Sequence, residues 1–595
     1  MEQNASPRSD EWRTHLYSQV PLRWRNGDIR LLTIQSRNFS KSIAATPEDQ
    51  PQIQCFLTLA NLKQQPKFVA VSHTCDTHED RSLLVNGALV PVSYDVFHVL
   101  EHLQEETEPI TIWIDTLCIN KGDTEERSAQ VAQLADVFSV ASSTIVWLGT
   151  AVEGSDEAMG ALGRLAEENL TPAAQKLLLN ALRKTPLAAN FPPPDYNANG
   201  QDRDQDQTHS ASSEKELSLD DQLQSLRSSF QSLMNRDYWS RLWSLQELVF
   251  TSKGLVVCGP RKMDLERFYM SAKALDGVLN MATYSKWLAA SKAPSSPAVL
   301  ENTEPANFSA SPAIRLLAER EFFRGGRGWW SSTDHPLLSI LSRYYLPASD
   351  PRIKFNYQDK RDLIFGFVGM ASDKNGLESL VDYSKDYRQI CTETTISLLK
   401  QNPKVLQLCQ ADHAGTDKPS WLVDWSDVKM PVSYSYGRSF NACGPADTRF
   451  YRVEVDPSNA GIISLKGVLI GIVQNVLETN PENSEQSNTP TAAIDRLFKQ
   501  SLDTAKSPYS AEQAPDIPPS MLTNKPFIMD TGYVGCGGHL IKGDSIAIFY
   551  GSEVPFAMRK QPDETFRLIG EVYVHGVMEG EYMKVHRKES ILCIS

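Results

Sequence analysis

The chain has 595 residues, 41% of them hydrophobic, and a formal net charge of −14, which suits roughly two to four globular domains with ordinary cores. The acidic balance, with no long Lys/Arg run, excludes a general nucleic-acid surface, because displacing counterions from phosphates needs concentrated positive charge. No apolar run is long enough to span a bilayer, Met1 to Trp12 lacks the apolar stretch of a signal peptide, and the nine cysteines are scattered, odd in number and without a CxxC pair, so reduced thiols in the cytoplasm, or the nucleus, are expected.

In chain order, Thr111 to Ile114 is an aromatic and β-branched run that favours a buried strand. It ends at Asp115 and leads into the turn-forming residues Asn120, Gly122 and Asp123. From Glu126 onward Val131, Leu134, Val137, Phe138 and Ala141 fall three or four apart, which predicts one helix with an apolar face. Its opposite face carries Glu125, Ser128 and Asp136. Ser143 to Leu148 reads as the next strand. Two strands joined by such a helix imply a parallel pair with a right-handed crossover. Ligands of these sheets bind at the carboxyl ends of strands, which is where Asp115 falls.

Trp239 to Phe250 reads as a helix with Trp239, Trp243 and Glu247 at successive steps of four, so that one carboxylate shares a face with two indoles. Gly254 to Cys258 reads as a strand. Lys360 to Met370 and Tyr387 to Lys400 look helical, in a mixed middle region without recognisable chemistry of its own. Past Trp421 the segments Tyr451 to Val455, Gly461 to Ile472, Ser545 to Tyr550, Pro555 to Arg559 and Phe566 to His575 alternate or run β-branched between turns, as in a small antiparallel barrel or sheet. Pro192 to Asp221, Ala293 to Pro312 and Glu478 to Pro519 are polar or Pro/Ser-rich and read as insertions, the last around one short amphipathic piece.

The candidate site residues each carry more than one reading. Glu247 is either a catalytic carboxylate in an aromatic, partly desolvated pocket or a buried acid paired with Arg127 or Arg241, since buried charges are normally paired. Asp115 orients a ligand, pairs a cation, or caps the helix that starts near Glu126. Arg127 reads as a structural partner of these acids ahead of a phosphate ligand. His73, Cys75 and His78 lack a fourth ligand, so no metal site is predicted. Cys118 reads as a packed thiol, Trp147 and Trp239 as core aromatics, and Gly535 to Gly538 as a turn. Neither a phosphate-cradling GxxxxGK[ST] loop nor a GxGxxG after a strand is present.

Many ordered pieces of the chain resemble the fungal heterokaryon incompatibility (HET) domain family. They are Tyr17, Leu22 and Ile29-Arg30-Leu31-Leu32; Val69 to Ser72 as its first core strand; Trp113 to Asn120; Ile145 to Gly149; Arg236 to Glu247; and later Asp362 to Gly369, Asp382-Tyr383-Ser384, Pro419 to Trp421 with Asp424 to Ser426, Gly532 to Gly535, and Gly570 to Gly576 with Gly580-Glu581. Two departures lie where a ligand would bind. The family usually follows its first-strand serine with Tyr-x-Trp-Gly, where this chain has His73 to Asp76, and ends its central motif in Asn-Gln, where this chain has Asn120-Lys121.

The resemblance implies an effector of fungal non-self recognition and programmed cell death, with protein partners or self-association. A more distant resemblance, to TIR domains, rests on Ser72 to Arg81 and on Glu247 four residues after Trp243. It implies that Glu247 is catalytic in cleaving NAD as substrate, with Ser72, Asp115, Arg127 and Trp243 binding the ligand and no resident cofactor. The rival expectations are a non-catalytic interaction or scaffold protein and an accessory protein of a fungal biosynthetic gene cluster.

The expected fold is α/β: a TIR-like or flavodoxin-like parallel sheet with flanking helices, then a helical region and a strand-rich carboxyl-terminal domain. The expected boundaries are an extension packing on the core over residues 1–64, the HET domain over 65–260 with an insertion near 190–222, a mainly helical region over 261–410 with an insertion near 293–312, and the strand-rich domain over 411–595 with an insertion near 478–519.

Overall fold

The protein is described by a computed structural model covering residues 11–23, 27–42, 53–74, 79–167, 219–291, 311–325, 334–345, 354–373, 376–409, 418–428, 440–444, 451–478, 490–503, 507–510, 524–585 and 588–595. The three stretches read as insertions, and Cys75 and His78, lie largely or wholly outside the described residues. The chain forms two compact units, residues 1–335 with 351–372 and 381–384, and residues 336–350 with 373–380 and 385–595.

The first unit is built on a nine-stranded sheet. Its strands are β1 (Asp28–Ile34), β2 (Gln54–Asn61), β3 (Val69–Ser72), β4 (Glu79–Val85), β5 (Ala88–Ser93), β6 (Ile110–Ile114), β7 (Ser143–Trp147), β8 (Gly254–Cys258) and β9 (Arg261–Asp264). They stand in the order β5-β4-β2-β1-β6-β3-β7-β8-β9. The four central strands, β6-β3-β7-β8, are parallel. Read in chain order they run second, first, third, fourth, the flavodoxin-like arrangement in which the strand order reverses beside the first strand. They are short, apolar and mostly buried, as strands covered on both faces must be.

Two expectations need refinement. β6 and β7 are parallel but do not pair, because β3 lies between them. The sheet is also mixed rather than wholly parallel, since β1 and β9 extend the parallel core antiparallel on its two sides. The β4–β5 hairpin turns through Asn86 and Gly87, with φ of 48° and 81°. Asn-Gly is the residue pair that a two-residue turn with both φ positive requires, so this hairpin was legible in the sequence and missed.

The helix expected from Glu126 is two helices, Thr124–Ala132 and Leu134–Val140. Gln133, at φ −98° and ψ 1°, interrupts the helical path and caps both. The second helix covers the sheet through Phe138, edge-on to Trp113 at 5.7 Å. The Trp-rich helix likewise begins only at Leu242, after a 3-10 turn over Asp237–Ser240. Arg241 is extended there and bridges to Asn356, whose N–H donates to Ser240 O at 2.7 Å. Trp239 therefore does not share a helix face with Glu247; its indole stacks on Phe268 at 5.6 Å in the core.

The second unit carries helices including Tyr387–Gln401 and a barrel. The barrel strands are β10 (Val453–Val455), β11 (Ile463–Val476), β12 (Lys525–Met529), β13 (Val534–Gly537), β14 (Ser545–Phe549), β15 (Phe556–Lys560), β16 (Phe566–Val574) and β17 (Glu589–Ile594). The path β11-β12-β13-β16-β15-β14 closes because the long strand β11 pairs with β12 at one end and β14 further back. Bulges near Leu469 and Val473 let β11 bend between its two partners. Closure removes free edges, and Val468, Ile470, Phe527, Ile546, Ile548 and Val572 fill the interior. Gly535 and Gly537 lie in β13, not in a turn.

Candidate functional site

A cleft of about 670 Å³ opens in the first unit. It lies at the carboxyl ends of β3 and β6, against the helices Thr124–Ala132 and Leu242–Phe250. Of the residues singled out in the sequence, Asp115, Arg127, Trp243 and Glu247 all line it. Ser72 does not; it is fully buried behind Glu247 and reaches the site through a hydrogen bond. Trp147 and Trp239 are core side chains.

Glu247 is 5% exposed, and both carboxylate oxygens are engaged. Arg241 Nη1 donates to Oε1 at 2.7 Å, and Ser72 Oγ donates to Oε2. Because that uses the one serine hydrogen, the Tyr238 hydroxyl, 2.7 Å from Ser72 Oγ, is the donor to Ser72. Burial, then the Glu247 charge, pushes the Tyr238 phenol well above its ordinary range and keeps it protonated for this role. The helix behind Glu247 is closed by two arginines from the helix Pro312–Phe323 and its cap: Arg320 Nε donates to Leu248 O at 2.9 Å, and Arg324 Nη1 donates to Val249 O at 3.3 Å. Cations at these last carbonyls suit the negative end of the helix dipole.

Asp115 begins a single helical turn directly after β6. His73 Nε2 lies 3.0 Å from its Oδ1, and Lys121 Nζ donates to Oδ2 at 2.9 Å. It does not cap the following helix; Asp123 does, accepting from the Glu125 and Glu126 amides at 3.0 Å each. Burial alone would raise the Asp115 carboxyl, but Lys121 and the His73 hydrogen bond outweigh it and hold the group well below its ordinary value. A depressed carboxyl contributes stability above its unfolded pKa, and that contribution is lost as pH falls through the folded one. Asp115→Asn is therefore expected to lower the urea midpoint at pH 7, with the deficit shrinking as pH falls below about 4. A deficit independent of pH would show that the charge of Asp115 is not what the site uses.

Arg127 pairs with neither Asp115 nor Glu247. Its guanidinium lies 3.6 Å from the Tyr383 ring centroid and 3.8 Å from Asp359. Tyr383 is fixed on three sides: Ser128 Oγ accepts from its amide at 2.9 Å, its carbonyl accepts from Arg361 Nη1 at 2.6 Å, and its hydroxyl donates to Asp362 Oδ1 at 2.6 Å. Asp362 Oδ2 also accepts from Trp243 Nε1 at 3.2 Å, and burial pushes the Asp362 carboxyl up. Of these middle-region residues, Asp362 and Tyr383 line the cleft, with Asn356, Tyr357 and Gln358. Asp362 and Tyr383 stood in the pieces that resembled the HET family, whereas Asp359 and Arg361 did not, and no local spacing marks Asp362 or Tyr383 as neighbours of Trp243, 119 residues apart in the first case.

Cys118 is buried with its thiol pushed up to about 12 by burial, so it is a packed thiol and not a nucleophile. Among the described residues no helix is long and apolar enough to cross a membrane. Residues 68–247 match the heterokaryon incompatibility protein (HET) family and residues 510–594 the Het-6 β-barrel domain. The first match ends at Glu247. Heterokaryon incompatibility protein 6, OR allele, of Neurospora crassa is 22% identical over 91% of this chain and 94% of its own length. No solved structure matches the chain. The cleft is thus set into the segment that matches the heterokaryon incompatibility (HET) family, and the closed barrel into the segment that matches the Het-6 β-barrel domain.

Proposed function

We propose that this protein acts in heterokaryon incompatibility, as a cytoplasmic HET-domain effector of non-self recognition and programmed cell death, and that its cleft cleaves NAD between nicotinamide and ribose. The observation that carries the reading is Glu247: a nearly buried carboxylate that still lines a cleft, one helical turn beyond Trp243, whose indole lines the same cleft. The similarity to a Neurospora crassa protein named for heterokaryon incompatibility supports the biological setting.

In this reaction the bond from ribose C1′ to the pyridinium nitrogen breaks and its electron pair leaves with nicotinamide, which becomes neutral. Positive charge develops on the ribosyl carbon until water adds there and releases a proton. A fixed carboxylate in a site of low dielectric stabilises that charge without reorganising. Ser72 and Arg241 would hold Glu247 in place, and Trp243 offers a flat apolar face to the substrate.

The test is nicotinamide release from NAD by the purified full-length protein and by Glu247→Gln. Losing one preorganised electrostatic group is expected to cut release about 100- to 1000-fold, with circular dichroism and the unfolding midpoint showing that the variant folds. Host-cell toxicity on expression is expected to fall with it. Release unchanged by the substitution would remove Glu247 from the chemistry.

One observation favours a second reading, a non-catalytic scaffold. Both oxygens of Glu247 are already satisfied by Ser72 and Arg241, the arrangement of a structural buried ion pair. Absence of nicotinamide release from well-folded protein, with toxicity retained in Glu247→Gln, would select it.

A further inference from the structure

Three cations line the cleft, and they differ in how well their charge is balanced. Lys121 is 2.9 Å from Asp115, and Arg241 is 2.7 Å from Glu247. Among the described residues Arg127 has only Asp359 as an ion-pair partner, at 3.8 Å. That carboxylate is already occupied: Arg361 donates to it from Nε at 2.9 Å, from Nη2 at 2.6 Å and from its backbone amide at 3.0 Å. The other nearby acid, Asp362, spends its two oxygens on Tyr383 and Trp243, and burial favours its neutral form. Among the described residues the Arg127 guanidinium donates no hydrogen bond, and its side chain is 31% exposed.

Its position is nonetheless fixed. The Tyr383 ring beneath it is tied at its amide, its carbonyl and its hydroxyl. A guanidinium stacked on a ring keeps its plane, and the N–H edges that stacking leaves unused are a fork for a planar or tetrahedral oxyanion. An arginine that merely stabilised the fold would be expected to spend those donors on protein acceptors.

We infer that Arg127, stacked on Tyr383, is the anion anchor of the cleft and takes a phosphate or diphosphate group of a nucleotide-like ligand. The inference rests on the reading of this cleft as a ligand site, but not on glycosidic cleavage. Tyr383, Arg361 and Asp359 are then positioning residues. Tyr383, Arg361 and Asp359 all lie beyond residues 68–247, so the HET match does not contain the whole binding site.

The experiment is calorimetric titration of the full-length protein with ADP, adenosine and inorganic diphosphate. ADP and diphosphate are expected to bind, compete with each other and weaken with added salt, whereas adenosine is expected to bind far less tightly. Arg127→Gln should weaken ADP roughly 10- to 100-fold, the range of a charge-assisted hydrogen bond, without changing its affinity for adenosine. Tyr383→Leu, which removes the stacking ring, should weaken ADP more than Tyr383→Phe, which keeps the ring and loses only the hydroxyl tie to Asp362.

Unchanged ADP affinity in folded Arg127→Gln, or no binding of ADP or diphosphate by the native protein at millimolar ligand, overturns the inference. The two readings fail separately. ADP binding lost in Arg127→Gln but kept in Glu247→Gln, with no nicotinamide release, sustains the anchor and removes the cleavage. Nicotinamide release with a KM for NAD unaltered in Arg127→Gln does the reverse.

Discussion

Arg30→Ala is expected to destabilise the first unit by about 3–5 kcal/mol, the usual consequence of leaving one partner of a buried ion pair alone. Arg30 is 1% exposed. Its Nη1 and Nη2 donate to the two oxygens of Glu126 at 2.6 and 2.9 Å, Nε donates to Val20 O at 2.8 Å, and Nη1 also reaches Cys118 O at 3.2 Å. The Tyr17 ring lies 4.6 Å from the guanidinium, and its hydroxyl donates to the carbonyls of Leu117 and Ile119 at 3.2 and 3.3 Å. Glu126 in turn accepts from the Asn120 amide at 2.6 Å. One arginine thus holds the residue following the helix Glu11–Gln19, β1 and the loop after β6 to the helix that carries Arg127.

Folded domains are stable by only about 5–15 kcal/mol, so the loss should appear as a large drop in the urea and thermal midpoints. The combined change Arg30→Met with Glu126→Leu should recover part of it, because no charge is then left buried. The recovery stays partial because the Asn120 amide loses its acceptor. An Arg30→Ala midpoint within experimental error of wild type would show that the pair carries no net stability.

The second large effect is expected in the barrel. Gly535 pairs with Phe527 on one side and Val574 on the other. A Cβ there would stand 2.1 Å from the backbone oxygen of Tyr573 and 2.7 Å from Cζ of Phe527. The first obstacle is main chain held in a closed sheet, so Gly535→Ala should cost about 1–3 kcal/mol or more through overpacking. Gly277 offers the contrast: it is exposed, in the helix Leu265–Ser291, with nothing within 4 Å of a built Cβ. Gly277→Ala should stabilise by about 0.5–1 kcal/mol. Chemical denaturation of both variants would test the pair, and a neutral Gly535→Ala would mean that β13 and β16 can separate at little cost.

The hydrophobic patterns of Thr111 to Ile114, Ser143 to Leu148 and Gly254 to Cys258 were sufficient to place β6, β7 and β8, because a short continuous apolar run can bury both faces only as a central strand. Alternation likewise located most of the barrel strands. Asp115 could be picked out from its place at the end of such a strand, and Glu247, Arg127 and Trp243 through the TIR resemblance; all four line the cleft. Their partners could not be picked out. That Glu247 meets Arg241 rather than Arg127, that Asp123 rather than Asp115 caps the helix, and that Tyr383 carries Arg127 are decided by contacts between segments far apart in the chain.

The local period also failed where the backbone breaks, at Gln133 and Arg241, since a helical pattern continues across a residue whose conformation is set by tertiary bonding. The sequence by itself determined three of the four parallel core strands, most of the barrel strands and the position of Asp115 at the carboxyl edge of the core, all consequences of short-range periodicity and burial. Tertiary structure alone decided which cation each acid holds, which strands close the sheet and the barrel, and that Asn356, Asp362 and Tyr383 complete the cleft, because pairing energies depend on distances that no spacing along one chain encodes.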